Sequence, residues 1–198
     1  MNNSGKYNEQ YGIILAGGQS RRMGRDKGAV KLSGARMVDV VIARFGPQCA
    51  DLSLSASHDY GCGLESFPDR EDGPQGPVAG LYAAYHWLKA RGYAGLGFYA
   101  VPVDGPLLPD DFTARIFSAG HSAIATDGRV HPAFGWWRME DLARAWELLD
   151  FETSISLHKL AEICHAQEAS WPVLEGGNSP FININNAADL EAYLAPKQ

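Results

Sequence analysis

The chain has 198 residues, of which 45% are hydrophobic and 20% charged, and its formal net charge is −6. That length suits one domain around one sizeable core. The acidic balance argues against a general polyanion-binding surface, so no nucleic-acid partner is expected. The three cysteines, Cys49, Cys62 and Cys164, are widely spaced and show no CxxC pair, which argues against structural zinc and fits thiols in a reducing compartment.

Residues 1–10 (MNNSGKYNEQ) are polar, lack an apolar signal core and read as a flexible tail. No run of about 18 apolar residues follows, so no membrane span is expected and a cytoplasmic location is the default. Ile13 to Ala16 form a short apolar run that stops at Gly17-Gly18. Such a run bounded by glycine fits a strand buried on both faces of a parallel sheet. The stretch from Gly17 to Gly28 then reads as a loop. Met37, Val38, Val41, Ile42 and Phe45 recur at helical spacing, and Gly46-Pro47 ends that helix. Leu52 to Ala56 is a second candidate strand.

Glycine and proline are too dense between Pro68 and Pro77 for regular structure. A helix is expected from Val78, with Val78, Leu81, Tyr85 and Leu88 on one face and Pro77 near its first turn. Gly97 to Val103 is a further apolar strand ending at Asp104-Gly105-Pro106. Asp110 or Asp111 can cap the next helix. Ser122 to Trp137 reads as a hairpin turning at Asp127-Gly128. Leu142, Trp146 and Leu149 form a helical stripe, with Trp146 expected in the core and Glu140 and Asp141 suited to the first turn. Phe181 to Ile184 has strand-like alternation, and Ala187 to Leu194 resembles a final helix. Alternating strands and helices without a linker indicate a single α/β domain spanning residues 1–198, with a mainly parallel sheet and one antiparallel element.

Three polar motifs each follow an apolar strand, where open α/β sheets bind ligands. The first is Leu15-Ala16-Gly17-Gly18-Gln19-Ser20-Arg21-Arg22-Met23-Gly24-Arg25-Asp26-Lys27. Gly17 and Gly18 permit close backbone approach, and their N–H groups can face a base or phosphates. Arg21, Arg22, Arg25 and Lys27 concentrate positive charge there, in an acidic protein. Neither GxGxxG nor GxxxxGK[ST] occurs in this loop. The second motif, Val101-Pro102-Val103-Asp104-Gly105-Pro106, places a hard carboxylate oxygen after a strand, which suits Mg²⁺ shared with substrate phosphates. The third is Phe181-Ile182-Asn183-Ile184-Asn185. On a strand, Asn183 and Asn185 would share one face and offer two amides to a polar ligand.

The first string resembles the signature LAGGxSxRMGxDK of the MobA family, the molybdenum cofactor guanylyltransferases. That resemblance implies a Rossmann-like, GT-A-like nucleotidyltransferase fold: a three-layer α/β/α domain with a mainly parallel mixed sheet. It also implies that Leu15, Ala16, Gly17 and Gly18 contact the guanine nucleotide, that Lys27 contacts its phosphates and that Arg22 helps hold the triphosphate. Asp104 matches the aspartate of the family's PCDxP motif and would bind Mg²⁺. Val103 and Gly105 depart from that motif. Asp69, before a stretch similar to the family's GPLxGL, would contact the nucleotide. His131-Pro132 matches the family's HP dipeptide, and 181–190 resembles its FxNxNTPEDL ending, which makes His131, Asn183 and Asn185 acceptor-binding residues. Asn186 and Asp189 have a second reading as caps of the final helix. No specific motif occurs between Arg138 and Gly177.

The implied partners are GTP and molybdopterin, with transient contact to cofactor-synthesis proteins or molybdoenzymes and no membrane. The implied reaction is attack by an acceptor phosphate on the α-phosphorus of GTP, with Arg22, Lys27 and Asp104 as catalytic residues. Three alternatives stand beside it: CTP in place of GTP, another phosphorylated acceptor, or a non-catalytic nucleotide or cofactor carrier. The related cytidylyltransferases usually have Ala-Gly where this chain has Gly17-Gly18, so the sequence favours guanine.

Overall fold

In the computed structural model, residues 9–17, 26–32, 34–173, 179–186, 188–189 and 191 are described. The first apolar run forms β1 (Tyr11–Leu15), with Ile13 and Ile14 both wholly buried. β1 lies between two parallel neighbours, β4 (Asp51–Ser55) and β6 (Gly97–Pro102). β5 (Glu65–Phe67) continues the parallel pairing beyond β4. β7 (Ala123–Thr126), β8 (Val130–Arg138) and β9 (Gln167–Ser170) complete a seven-stranded sheet in the order β5-β4-β1-β6-β8-β7-β9. β8 is antiparallel to both β6 and β7, whereas β9 is parallel to β7. β2 (Lys31–Leu32) and β3 (Ala35–Arg36) form a separate two-stranded ribbon.

Alternate side chains of the strands enter two cores. Ile14, Tyr99 and Val101 pack with α1 (Met37–Phe45) and α3 (Phe112–Phe117). Ile13, Phe98 and Ala100 pack on the other side with α2 (Ala79–Ala90), α4 (Met139–Leu148) and α5 (Leu157–Ile163). The result is the expected three-layer α/β/α arrangement, because strands buried on both faces need a helical layer over each. Leu81 and Leu88 of α2 are almost completely buried, and each contributes about 1.5–3 kcal/mol relative to an exposed position.

Several expectations need correction. Gln10 belongs to the fold rather than to a loose tail. It is 4% exposed, and its Oε1 accepts from Tyr93 Oη and Leu96 N, both at 3.1 Å. Neither Asp110 nor Asp111 caps α3 through its side chain. Gln48 Oε1 accepts from Thr113 N at 3.1 Å instead. The Asp111 carboxylate is engaged by Trp171 Nε1 at 2.9 Å and by Arg115. Phe181 to Ile184 forms no strand. Phe181 enters the core beside α3 and Ile184 packs with Leu32 and Met37, so the segment follows two anchors rather than a neighbouring strand. The alternation argument for Asn183 and Asn185 therefore fails. The expected helix 187–194 falls largely outside the described residues. Asn186 Oδ1 does accept from Asp189 N at 3.1 Å, and Asp189 Oδ2 accepts from Asn185 N at 2.7 Å. The first of these is the bond of an N-cap side chain to the third helical residue.

Candidate active site

Strand order places the site. From β1 the sheet extends through β4 to β5, and the chain then returns to β6 on the opposite side of β1. The carboxyl ends of β1 and β6 therefore flank the point where the order reverses, the usual ligand crevice of such sheets. Lys27 comes from the loop after β1 and Asp104 from the turn after β6. Lys27 Nζ donates to Asp104 Oδ2 at 2.6 Å. The side chains are 30% and 10% exposed respectively, so solvent screens this pair less than a fully exposed one.

Two cavities open at this end of the sheet. The smaller, about 300 Å³, is lined by Leu15, Gly17, Ser55, Asp69, Gly76, Pro77 and Gly80. Gly17 lies close to the cavity wall: a β-carbon there would come 3.2 Å from Ser55 O and 3.5 Å from Asp69 Oδ1. Ala16 N donates to Ser55 O at 3.0 Å, which carries the chain along the end of β4. The larger cavity, about 970 Å³, runs from Pro77 past Arg129, His131 and Phe134 to His158, Phe181 and Asn183. Pro77 lines both.

Neither Lys27 nor Asp104 lines these two cavities, but backbone bonds hold Asp104 and its neighbour Val103 next to residues that do or that adjoin them. Val103 N donates to Leu15 O at 3.0 Å, and Ile184 N donates to Asp104 O at 2.8 Å. Asn183 lines the larger cavity, whereas Asn185 lines neither. Gly18 and Arg22, with Arg21 and Arg25, lie outside the described residues.

The walls of the larger cavity are mostly apolar, with Phe134 and Phe181 among them, and carry Arg129, His131 and His158 beside Asp127. Opposite Ile124-Ala125 of β7, the register of β8 jumps from His131 to Gly135. Pro132, Ala133 and Phe134 bulge from the ladder and all line the cavity. Proline suits such a place, since it has no N–H to give a ladder. Gly105 accounts for part of this geometry: a methyl group there would lie 2.6 Å from Phe134 Cε1. The position where the chain departs from PCDxP is thus filled by the Phe134 ring. The Phe134 and Phe181 ring centroids are 5.1 Å apart, and that of His131 lies 5.3 Å from that of Phe181.

His131 Nε2 lies 2.8 Å from Asp127 Oδ1. Burial alone would raise the Asp127 carboxyl above its ordinary value, but hydrogen bonds from Ser179 and His131 hold it below. The ionised carboxylate accepts from His131 and leaves Nδ1 as the ring nitrogen not used by this bond. Asp127 and Ser55 were not foreseen as site residues. Ser55 Oγ is buried without a hydrogen-bond partner among the described residues. The serine that ends β4 was the available signal, as was the turn aspartate close before His131.

Among the described residues, no group of three or more His, Cys, Asp or Glu could form a metal cage. The largely buried Asp104 carboxylate is a donor of the kind Mg²⁺ takes, since this ion is commonly held by one or two carboxylates plus substrate phosphates.

The MobA-like NTP transferase domain model matches residues 12–166. The chain belongs to that family. A molybdenum cofactor guanylyltransferase from Cereibacter sphaeroides is 43% identical, over 91% of this chain and 93% of the relative. Another from Rhizobium meliloti is 35% identical over 92% of this chain and 90% of that protein. Among solved structures, molybdopterin-guanine dinucleotide biosynthesis protein A from Archaeoglobus fulgidus superposes with a TM-score of 0.67 at 19% identity, covering 93% of this chain and 96% of that one. This MobA-like chain is therefore a nucleotidyltransferase with the fold of its family. No helix among the described residues is long and apolar enough to cross a membrane.

Proposed function

We propose that this enzyme transfers the GMP moiety of GTP to the terminal phosphate of molybdopterin, forming molybdopterin guanine dinucleotide and releasing pyrophosphate. The observation that carries the reading is the Lys27–Asp104 pair, with Asp104 and Val103 held by backbone bonds next to residues that line or adjoin a small glycine-lined cavity and a larger one walled in part by Phe134 and Phe181. The names of the curated relatives support the choice of base and acceptor. A cytoplasmic location goes with this reading.

In the proposed mechanism, the nucleotide lies along Leu15, Ala16, Gly17 and Gly18, with Asp69 and Ser55 reaching its polar edge. Lys27, together with Arg22, neutralises the phosphates. Asp104 would hold Mg²⁺, and the ion would supply charge neutralisation. The acceptor occupies the larger cavity. Its flat ring suits the Phe134–Phe181 wall, and its anionic end suits Arg129 and His131. A phosphate monoester is already anionic near neutral pH, so attack on the α-phosphorus needs no strong general base. Catalysis rests on alignment and charge neutralisation. The P–O bond to the α-phosphorus forms as the bond to pyrophosphate breaks.

Incubation with molybdopterin, Mg²⁺ and either GTP or CTP tests this directly. The expected result is pyrophosphate release and a dinucleotide of guanine mass with GTP, and at most a minor product with CTP. Preference for CTP would overturn the base assignment. Nucleotide binding without pyrophosphate release would favour a carrier.

A further inference from the structure

The segment around Lys27 contacts a residue that lines neither cavity. Its two chain neighbours, Asp26 and Gly28, both meet Tyr60 in the loop after β4. Tyr60 Oη donates to Asp26 Oδ1 at 2.7 Å, and Gly28 N donates to the same oxygen at 3.0 Å. His58 Nε2 stands 3.1 Å from Asp26 Oδ2, with its ring centroid 4.2 Å from that of Tyr60. The phenol ring also lies against the α-carbon of Gly28, where an added methyl group would come 2.7 Å from Cζ. One tyrosine thus pins the residues before and after Lys27.

The loop that carries Tyr60 is itself braced. Tyr60 has φ +56° and Gly61 has φ +64°; the first is a conformation that costs energy outside glycine. The Arg36 guanidinium donates to Tyr60 O, while its other nitrogens clasp the Asp39 carboxylate at 2.7 Å. Asp59 Oδ1 accepts from Gly61 N at 2.9 Å. A strained residue held this firmly, away from both cavities, has its effect through what it touches.

We infer that Tyr60 is a positioning residue for nucleotidyl transfer: acting through Asp26 and Gly28, it holds the backbone at 26–28 so that the Lys27 ammonium stands at Asp104. The inference rests on the phosphate-binding role proposed for Lys27. Without the Tyr60–Asp26 bond, Asp26 keeps only the half-exposed His58 contact and the turn Lys27–Ala29 its local cap bonds, and Lys27 samples positions away from the reacting phosphates.

Tyr60→Phe keeps the ring against Gly28 and deletes one hydrogen bond. In substrate-free protein, mass spectrometry after brief treatment with an acylating reagent reads the exposure of Lys27. Its labelling should rise several-fold in Tyr60→Phe while Lys89 and Lys159 are unchanged. In turnover, kcat should fall roughly tenfold, the scale of a hydrogen bond to a charged group, with little change in KM for the acceptor. In a Lys27→Ala background, Tyr60→Phe should add no further loss, because the two act as one unit. Unchanged Lys27 labelling, or an additive loss in the double variant, overturns the inference. Asp26→Ala removes the acceptor and applies the same measurements from the other end of the bond if Tyr60→Phe proves unstable. A wild-type protein that makes no product from GTP and molybdopterin would sink the proposed activity, whereas the labelling comparison would still decide the role of Tyr60.

Discussion

The Lys27 ammonium lies 2.6 Å from the Asp104 carboxylate although 77 positions separate them in the chain. In the free protein the lysine therefore occupies one carboxylate oxygen of the residue proposed to hold Mg²⁺. On the proposed mechanism, nucleotide phosphates compete with Asp104 for the Lys27 ammonium.

Asp104→Ala should lower the rate of pyrophosphate release about 10²–10³-fold, the scale of losing a charge-stabilising group in a reaction centre. Lys27→Ala should cost less, and the double variant should be no worse than Asp104→Ala alone. Lys27→Ala leaves a largely buried carboxylate without its partner, so it should cost about 1–3 kcal/mol of stability. A large drop in melting temperature with intact turnover would assign the pair to structure instead.

Gly105→Ala should act through Phe134. The added methyl has no room beside the ring, and overpacking of this kind costs about 1–3 kcal/mol. Displacing the ring also reshapes the wall of the larger cavity. Denaturant titration should show the loss of stability, and steady-state kinetics should show a raised KM for the acceptor with KM for the nucleotide nearly unchanged.

Asp127 gives a pH dependence of known sign. Its carboxyl is held below the ordinary value of 3.8 in the folded protein, so the folded state binds its proton less readily than the unfolded chain. The stabilisation is complete above about 3.8 and is lost as pH falls through the lowered folded value. Asp127→Asn should therefore destabilise the protein at neutral pH and flatten this part of the acid-unfolding curve. Melting temperatures between pH 2 and 7 would reveal both effects. Parallel curves for variant and wild type would refute the assignment.

The thiols should separate by reactivity. Burial pushes the Cys164 thiol up to about 12 and raises that of Cys49 as well, and a thiol reacts as thiolate. Cys62 is only partly buried. Alkylation near pH 8, followed by peptide mass spectrometry, should modify Cys62 in the native protein and reach Cys164 only after unfolding.

Much of the architecture was legible where a local pattern is strong. The apolar runs at Ile13 and Gly97 became central strands, the stripe from Met37 became a helix with the expected limits, and Asp127-Gly128 turned a hairpin. Short edge elements carried little such signal. β5 and β9 are three and four residues long, and they exist because a neighbouring strand offers a free ladder. Gln48 shows the same limit: its amide serves a helix start 65 positions away, which no nearby residue announces. For Phe181 to Ile184, alternation suggested a strand, yet burial of two separated side chains prevailed over ladder formation.

The sequence by itself determined the alternating α/β order, the cationic glycine loop, the strand-end aspartate and the family, because these depend on residue type and spacing over short stretches. Only the tertiary structure decided that Lys27 meets Asp104, that Tyr60 meets the residues on either side of Lys27, and that Asp127 orients His131. Those contacts join segments far apart in the chain, and their geometry follows from strand order and packing rather than from any local periodicity.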